Sequence, residues 1–201
     1  MNKFLFFFIL LIFTNCYSQN DNYFDLGKQE MKNQNFDKAI ENLSIAISKN
    51  QNKSEAYFAR GLCYNMIKDY QKSTKDFNSA EHLGIEDVKL YTLRGFAFNQ
   101  INQNELALKD LNKAIDIDPD FYPKNYYNKG SLEIKLNMYN EALIDFNEYL
   151  KREENPIGYF ERGKLLLYFG KKNDACKDFE TSFNLGNNTN EISELRQKNC
   201  K

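Results

Sequence analysis

The chain has 201 residues, 42% hydrophobic and 27% charged, with a formal net charge of -1. That is the composition of a core-forming protein and not of a disordered one, and the charge gives no footprint for nucleic acid. One histidine, nine glycines and three prolines exclude a histidine-rich metal cluster, disfavour a turn-rich all-β fold, and leave any Ser-His-Asp or Cys-His enzyme dependent on His82 alone.

The chain opens on Lys3 and an unbroken apolar run over residues 4–13. Ten residues are too few for a bilayer span, which needs about 20. They fit the core of a secretory signal. Cys16 and Ser18 are small and stand two apart, which places a cleavage between Ser18 and Gln19. Residues 1–18 therefore read as a signal peptide, and the protein as exported, to the periplasm or the exterior. A second processing reading makes Cys16 a lipid-anchored N-terminus on an outer-membrane assembly factor. Asn15, directly before it, departs from the small residue such signals carry. Membrane attachment is expected only with that lipid.

An internal repeat fills the rest. Gly27, Gly61, Gly95, Gly130 and Gly163 are spaced by 34, 34, 35 and 33 residues. A tyrosine stands four before each: Tyr23, Tyr57, Tyr91, Tyr126 and Tyr159. Twelve after each is a small residue, Ala39, Ser73, Ala107, Ala142 or Ala175. Sixteen after is a large apolar one, Leu43, Phe77, Leu111, Phe146 or Phe179. Nineteen after come Ala46, Ala80, Ala114, Tyr149 and Ser182. Each copy reads as two helices. In the fourth, Tyr126, Gly130 and Ile134 form one i, i+4 stripe, Asn137 breaks it, and Ala142, Phe146 and Tyr149 form a second. Breaks at residues 49–52, Leu83-Gly84, Asp118-Pro119 and Asn155-Pro156 separate the copies. A mid-helix glycine costs about 1 kcal/mol against alanine. Its recurrence calls for a close helix approach, with the small residue twelve positions later facing it.

These spacings resemble those of tetratricopeptide repeats over residues 20–189. The resemblance implies an all-α fold: a right-handed superhelical solenoid of five helix pairs, at 20–53, 54–87, 88–122, 123–155 and 156–189, plus a C-terminal capping helix at 190–201. The departures are local. Glu30 replaces an aromatic in the first repeat, Asn104 replaces the turn aromatic in the third, and Tyr149 replaces an alanine, which should set the fourth and fifth repeats slightly apart.

Two charged positions vary together. Arg60, Arg94, Lys129 and Arg162 each precede the repeat glycine, and Asp76, Asp110, Asp145 and Asp178 follow sixteen residues later. In the first copy both charges are absent together, as Leu26 and Asn42. This predicts a ladder of ion pairs joining the two helices of each repeat; the alternative is eight unrelated solvated charges. Mature protein would keep Cys63, Cys176 and Cys200. A cap with Ile192 and Leu195 on its apolar side, packed antiparallel to the helix bearing Cys176, brings Cys176 to Cys200 as a disulfide, the alternative being two free thiols. Cys63 reads as a small packing residue.

Nothing in the chain reads as catalytic. His82 suits a helix C-terminus, and residues 116–120 lack the glycine and distal glutamate of a calcium loop. No cofactor or metal is expected. The resemblance instead implies that the first helices line a concave groove, through Phe58, Leu62, Asn65, Phe96, Asn99, Tyr127, Ser131, Phe160 and Lys164. Such an aromatic groove with amide donors suits an extended peptide or a partner helix. Phe24, Lys28, Leu62 and Phe96 stand at or near the places where some family members clamp a carboxylate, so that clamp is incomplete. The groove stays empty if its aromatics pack on one another. The expected function is a non-enzymatic interaction scaffold of the cell envelope, with a protein or peptide partner. The alternatives are the lipid-anchored assembly factor and a module that self-associates through its first or last repeat.

Overall fold

A computed structural model describes residues 22–200. The signal peptide at 1–18, the cut after Ser18 and Cys16 with its alternative lipid lie outside the described residues, as does Lys201. Among the described residues there are eleven helices and no strand: α1 (Tyr23–Lys32), α2 (Phe36–Ser48), α3 (Lys53–Met66), α4 (Tyr70–His82), α5 (Val88–Gln100), α6 (Asn104–Ile117), α7 (Lys124–Lys135), α8 (Tyr139–Arg152), α9 (Pro156–Tyr168), α10 (Lys172–Asn184) and α11 (Asn190–Asn199). They pair as α1–α2 through α9–α10, with α11 against α10. The second repeat starts one residue before the boundary read at 54, because α3 begins at Lys53.

Each first helix ends by the same device. Seven residues after the repeat glycine, Gln34, Lys68, Asn102, Asn137 and Gly170 take φ values from 58° to 74°. The following amide then bonds back to a carbonyl five residues earlier: Asn35 to Glu30, Asp69 to Tyr64, Gln103 to Phe98, Met138 to Glu133 and Lys171 to Leu166, all at 2.8–2.9 Å. This left-handed closure satisfies the last carbonyls and folds the chain into its second helix. Helix starts are capped where the sequence supplies an acceptor. Asp69 takes the Lys72 amide, and Asn155 takes those of Ile157 and Gly158, with Pro156 in the first turn.

The apolar positions of the repeat make the core. Leu43, Phe77, Leu111, Phe146 and Phe179 are all buried, as are the small residues four positions before them. The small residue twelve later does face the glycine at Gly61, Gly95 and Gly130, but the large residue sixteen later also meets each one, and it is the nearest neighbour at Gly27, Gly61, Gly130 and Gly163. A Cβ on Gly163 would stand 2.7 Å from Phe179 Cε1, and one on Gly27 2.6 Å from Leu43 Cγ. The small residue contributes backbone or a hydroxyl instead: the Ala107 carbonyl lies 3.3 Å from a Cβ built on Gly95, and Ser73 Oγ donates to the Gly61 carbonyl at 2.9 Å. Gly163→Ala is therefore expected to destabilise by about 1–2 kcal/mol despite alanine's better helix propensity, since the Phe179 ring is packed and has to shift. Urea unfolding read at equilibrium checks it; a neutral or stabilising result would mean the ring moves freely.

Two irregularities break the period. The 35-residue spacing places an extra residue between α6 and α7, where Phe121 and Tyr122 are exposed. At the next junction Tyr149 is buried beside Gly158, whose absent Cβ would lie 2.8 Å from the ring. Consecutive first helices touch from α1 to α3, α3 to α5 and α5 to α7, and this contact is weaker from α7 to α9.

The C-terminal end is closed by α11. Ile192 is fully buried and Leu195 half-buried against Phe160, Leu166, Phe179 and Phe183. Cys176 and Cys200 are joined by a disulfide with Cα atoms 5.5 Å apart. Cys63 is a free, buried thiol, pushed up to about 11 by burial and therefore unreactive near neutrality.

Candidate functional site: the inner helices

The first helices form one layer, stacked side by side, while each second helix packs between its own partner and the next repeat's first helix. A charged ladder ties each first helix from the second repeat on to its own second helix. Arg60 grips Asp76 through two hydrogen bonds of 2.7 and 2.8 Å, Arg94 grips Asp110 at the same distances, and Arg162 grips Asp178 with both at 2.7 Å. Lys129 reaches Asp145 at 2.6 Å. These forks have the two parallel bonds that favour arginine over lysine. The arginines do a second thing that the spacing did not reveal. Their remaining nitrogen reaches back one repeat, from Arg60 to Ser44, Arg94 to Asn78 and Arg162 to Asn147, at 2.8–3.0 Å. Ser44, Asn78 and Asn147 share one repeat position, seventeen after the glycine, so a polar residue there was the available signal.

Arg94 is the most enclosed of the four ladder cations, 6% exposed. Besides Asp110 and Asn78 it meets Glu81 at 2.5 Å, and Glu81 also accepts from Tyr91 and Lys113. Burial alone would raise the Glu81 carboxyl, but Arg94, Tyr91 and Lys113 together hold it down to about 2.

The predicted groove residues divide into four groups. Phe160 is a correction: it is 6% exposed and lies on Phe179 with ring centres 6.0 Å apart, so its ring belongs to the core. Phe58 and Tyr127 are half-buried and partly committed, Phe58 to Phe77 and Tyr127 to Phe146 and Tyr149, at 5.4–5.7 Å. Leu62 and Ser131 are half-buried. The polar members are largely engaged. Asn65 donates to the Leu93 carbonyl at 3.3 Å, Asn99 accepts from Lys135 at 3.1 Å, and Lys164 sits over the Phe160 ring at 4.6 Å and beside Glu161 at 2.9 Å. The Asn65 amide donor is thus committed, whereas Asn99 commits only its oxygen.

Phe96 remains open, 40% exposed and edge-on to Tyr70 at 5.8 Å. Sequence reasoning missed its companions. Met66, one turn beyond Leu62, is exposed, and Tyr168 is 67% exposed, with ring centres 4.8 Å from Tyr139 and 5.2 Å from Phe169. Met66 and Tyr168 both stand five residues after a repeat glycine, at the last turn of a first helix. The open apolar surface therefore runs along the helix ends beside the turns more than through the middle of the groove. Among the described residues no helix is long and apolar enough to cross a membrane, and no cluster of three or more His, Cys, Asp or Glu is placed to hold a metal.

Comparison with known proteins agrees with this architecture. Residues 88–121 and 123–156 match the family described as tetratricopeptide repeat. No curated protein sequence matches the chain. Among solved structures, YrrB, described as a TPR protein with an unusual peptide-binding site, aligns with a TM-score of 0.79 at 17% identity, over 92% of this chain and 97% of that one. MamA from Desulfovibrio magneticus RS-1 aligns with a TM-score of 0.70 at 16% identity, over 90% and 98%. The C-terminal part of a TPR repeat-containing protein from Cytophaga hutchinsonii aligns with a TM-score of 0.73 at 20% identity, over 87% and 69%. At these identities the likeness is one of fold. Residues 88–121 and 123–156 thus match tetratricopeptide repeats directly, and the helix pairs along the described residues share the fold of solved tetratricopeptide-repeat solenoids.

Proposed function

We propose that this chain is an exported scaffold that binds an extended peptide or a partner helix on its inner helices, and that it carries out no chemistry of its own. The observation that carries the reading is the exposed aromatic surface on the first helices: Phe96, edge-on to Tyr70, and Tyr168, against Tyr139. Rigid aromatics of this kind give large contact area at low entropic cost. The peptide-binding site named for YrrB supports a peptide as the occupant. Export is supported by the apolar run at residues 4–13 and by the Cys176–Cys200 disulfide, which suits an oxidising compartment.

A photoreactive residue placed at Phe96 and, separately, at Ile144 on a second helix tests the reading in the envelope fraction. Adducts are expected from position 96 and not from 144. The captured partner should then bind Phe96→Ala or Tyr168→Ala about 10-fold more weakly, the size expected of a central aromatic contact. Equal labelling from both positions, or unchanged affinity in both variants, would overturn the groove. Intact mass of the mature protein separates a cut after Ser18 from a lipid on Cys16.

A further inference from the structure

The third and fourth repeats are joined differently from the rest. At the other ladder positions an arginine reaches back to the preceding repeat. Lys129 instead spends its ammonium within repeat 4, 2.6 Å from Asp145 and 3.2 Å from Glu133. Asn112, which holds the receiving position on α6, is exposed. Glu133 stands where repeats 3 and 5 have the buried apolar residues Phe98 and Leu166. It is only 2% exposed, its Oε2 has no hydrogen-bond partner, and its other oxygen meets the same Lys129 ammonium as Asp145.

Two carboxylates facing one ammonium in a buried place leave a net negative charge without solvent to screen it, and one oxygen without a donor. Protonating Glu133 removes the excess charge. Lys129 keeps Asp145 company as the counter-ion, and the site is neutral. The neighbouring helices supply no alternative compensation. On α6, Asp110 is held by Arg94 and Lys113 by Glu81, while Glu105, Lys109 and Asp116 are exposed. On α8, Glu148 is held by Lys151 and Arg152, and Glu141 is exposed. On α9, Arg162 is held by Asp178, and Glu161 by Lys164. On α7 itself, Lys124 is exposed, and Lys135 is exposed and turned to Asn99. Burial and the adjacent Asp145 outweigh Lys129 and push the Glu133 carboxyl up to about 8.

We propose that Glu133 holds a proton at neutral pH beside the Lys129–Asp145 pair, and that its loss in mild alkali loosens the α7–α8 pair, which makes the fourth repeat a pH-sensitive joint of the solenoid. The proton goes to solvent, and Asp145 then faces a second carboxylate across a single lysine. Tyr127 and Ser131 of the inner surface ride on the same α7 helix, so the joint lies directly behind part of the groove. The sign is fixed by the raised carboxyl: the folded state holds more protons than the unfolded chain, so stability falls as pH rises from the ordinary glutamate range through about 8, and is level above it.

Carboxyl-carbon NMR of the full mature chain, labelled at glutamate, reads the proton directly. One resonance is expected to titrate between about pH 7 and 9 and to be missing from Glu133→Gln. A Glu133 resonance that titrates in the ordinary range near pH 4.5 would overturn the proposal. Thermal unfolding gives the second readout. Between pH 6 and 9 the wild type should lose several degrees more than Glu133→Gln, whose amide stays neutral throughout. Parallel losses in the two proteins would count equally against it. If Glu133→Gln fails to fold, the wild-type titration decides alone.

Discussion

Replacing Arg94 by alanine is expected to destabilise the protein by about 3–5 kcal/mol, the range for breaking a buried pair by removing one partner. The reason is what stays behind. Asp110 is buried beside the vacated guanidinium site, and Glu81 loses its nearest cation. The substitution also cuts the bond to Asn78, so it weakens a repeat and a junction at once. Arg94→Lys should recover little, since an ammonium cannot form both fork bonds and the back-reaching one. Arg162→Ala should cost less, because the Arg162 side chain is more open to solvent than that of Arg94. Urea unfolding with hydrogen exchange over α4 to α6 checks the size and the place; a loss under about 1 kcal/mol would mean solvent relieves the stranded carboxylates. Acid adds a second signature. Arg94 is the strongest of the groups that hold the Glu81 carboxyl near 2, so that part of stability is present above the ordinary glutamate value of 4.5 and vanishes as pH falls toward 2. The Arg94→Ala protein should therefore begin to unfold at a higher pH than the wild type.

The same ladder shows how far one sequence can be read. Charge at one position sixteen residues from charge at another is a direct imprint of contact, because both vary together within the chain, and Leu26 with Asn42 supplies the uncharged case. The glycine period is equally direct, since only a missing Cβ lets Leu43 or Phe179 lie against the facing helix. The turn at Gln34, Lys68, Asn102, Asn137 and Gly170 was harder to see. A left-handed residue is tolerated by asparagine and glycine, but glutamine and lysine at two of the five places dilute the pattern. Legibility of the groove was partial for a different reason. Periodicity says which side chains share a helix face, and Phe58, Phe96, Tyr127 and Phe160 do share one. It does not say how deep each sits. That depth depends on what else covers each ring: Phe58 and Phe160 lie alike on Phe77 and Phe179, but only Phe160 also shares a cluster with Ile192 and Leu195 of the cap, whereas Phe96 meets only the edge of Tyr70. Glu133 shows the limit most clearly. A lone glutamate on a helix reads as a solvated charge, and only the placement of Lys129 and Asp145 around it makes it otherwise.

Cleaving the Cys176–Cys200 bond, by reduction or as Cys176→Ser, is expected to remove about 3 kcal/mol from the C-terminal end of the solenoid. The chain-entropy account gives that figure for a closed loop of this size, the two cysteines being 24 residues apart. The local structure makes the bond matter. The α11 helix has ten residues, too few to persist alone in water. Only Ile192 is fully buried on it, Leu195 is half-buried, and its polar ties to the body, Arg196 to Glu180 and Glu191 to Lys164, are exposed or at the long end of ion-pair distance. Such surface pairs contribute at most about 1 kcal/mol each. Without the crosslink the cap should fray, and the faces of α9 and α10 that it covers, including Phe160 and Phe183, should meet water. In a solenoid each repeat leans only on its neighbours, so the damage should be graded along the chain. Amide exchange under reducing conditions should rise steeply over residues 190–199, moderately over α9 and α10, and little over α1 to α4. Uniform loss along the whole chain would show that the repeats unfold as one unit, and unchanged protection over α11 would show that Ile192 and its neighbours hold the cap without the bond.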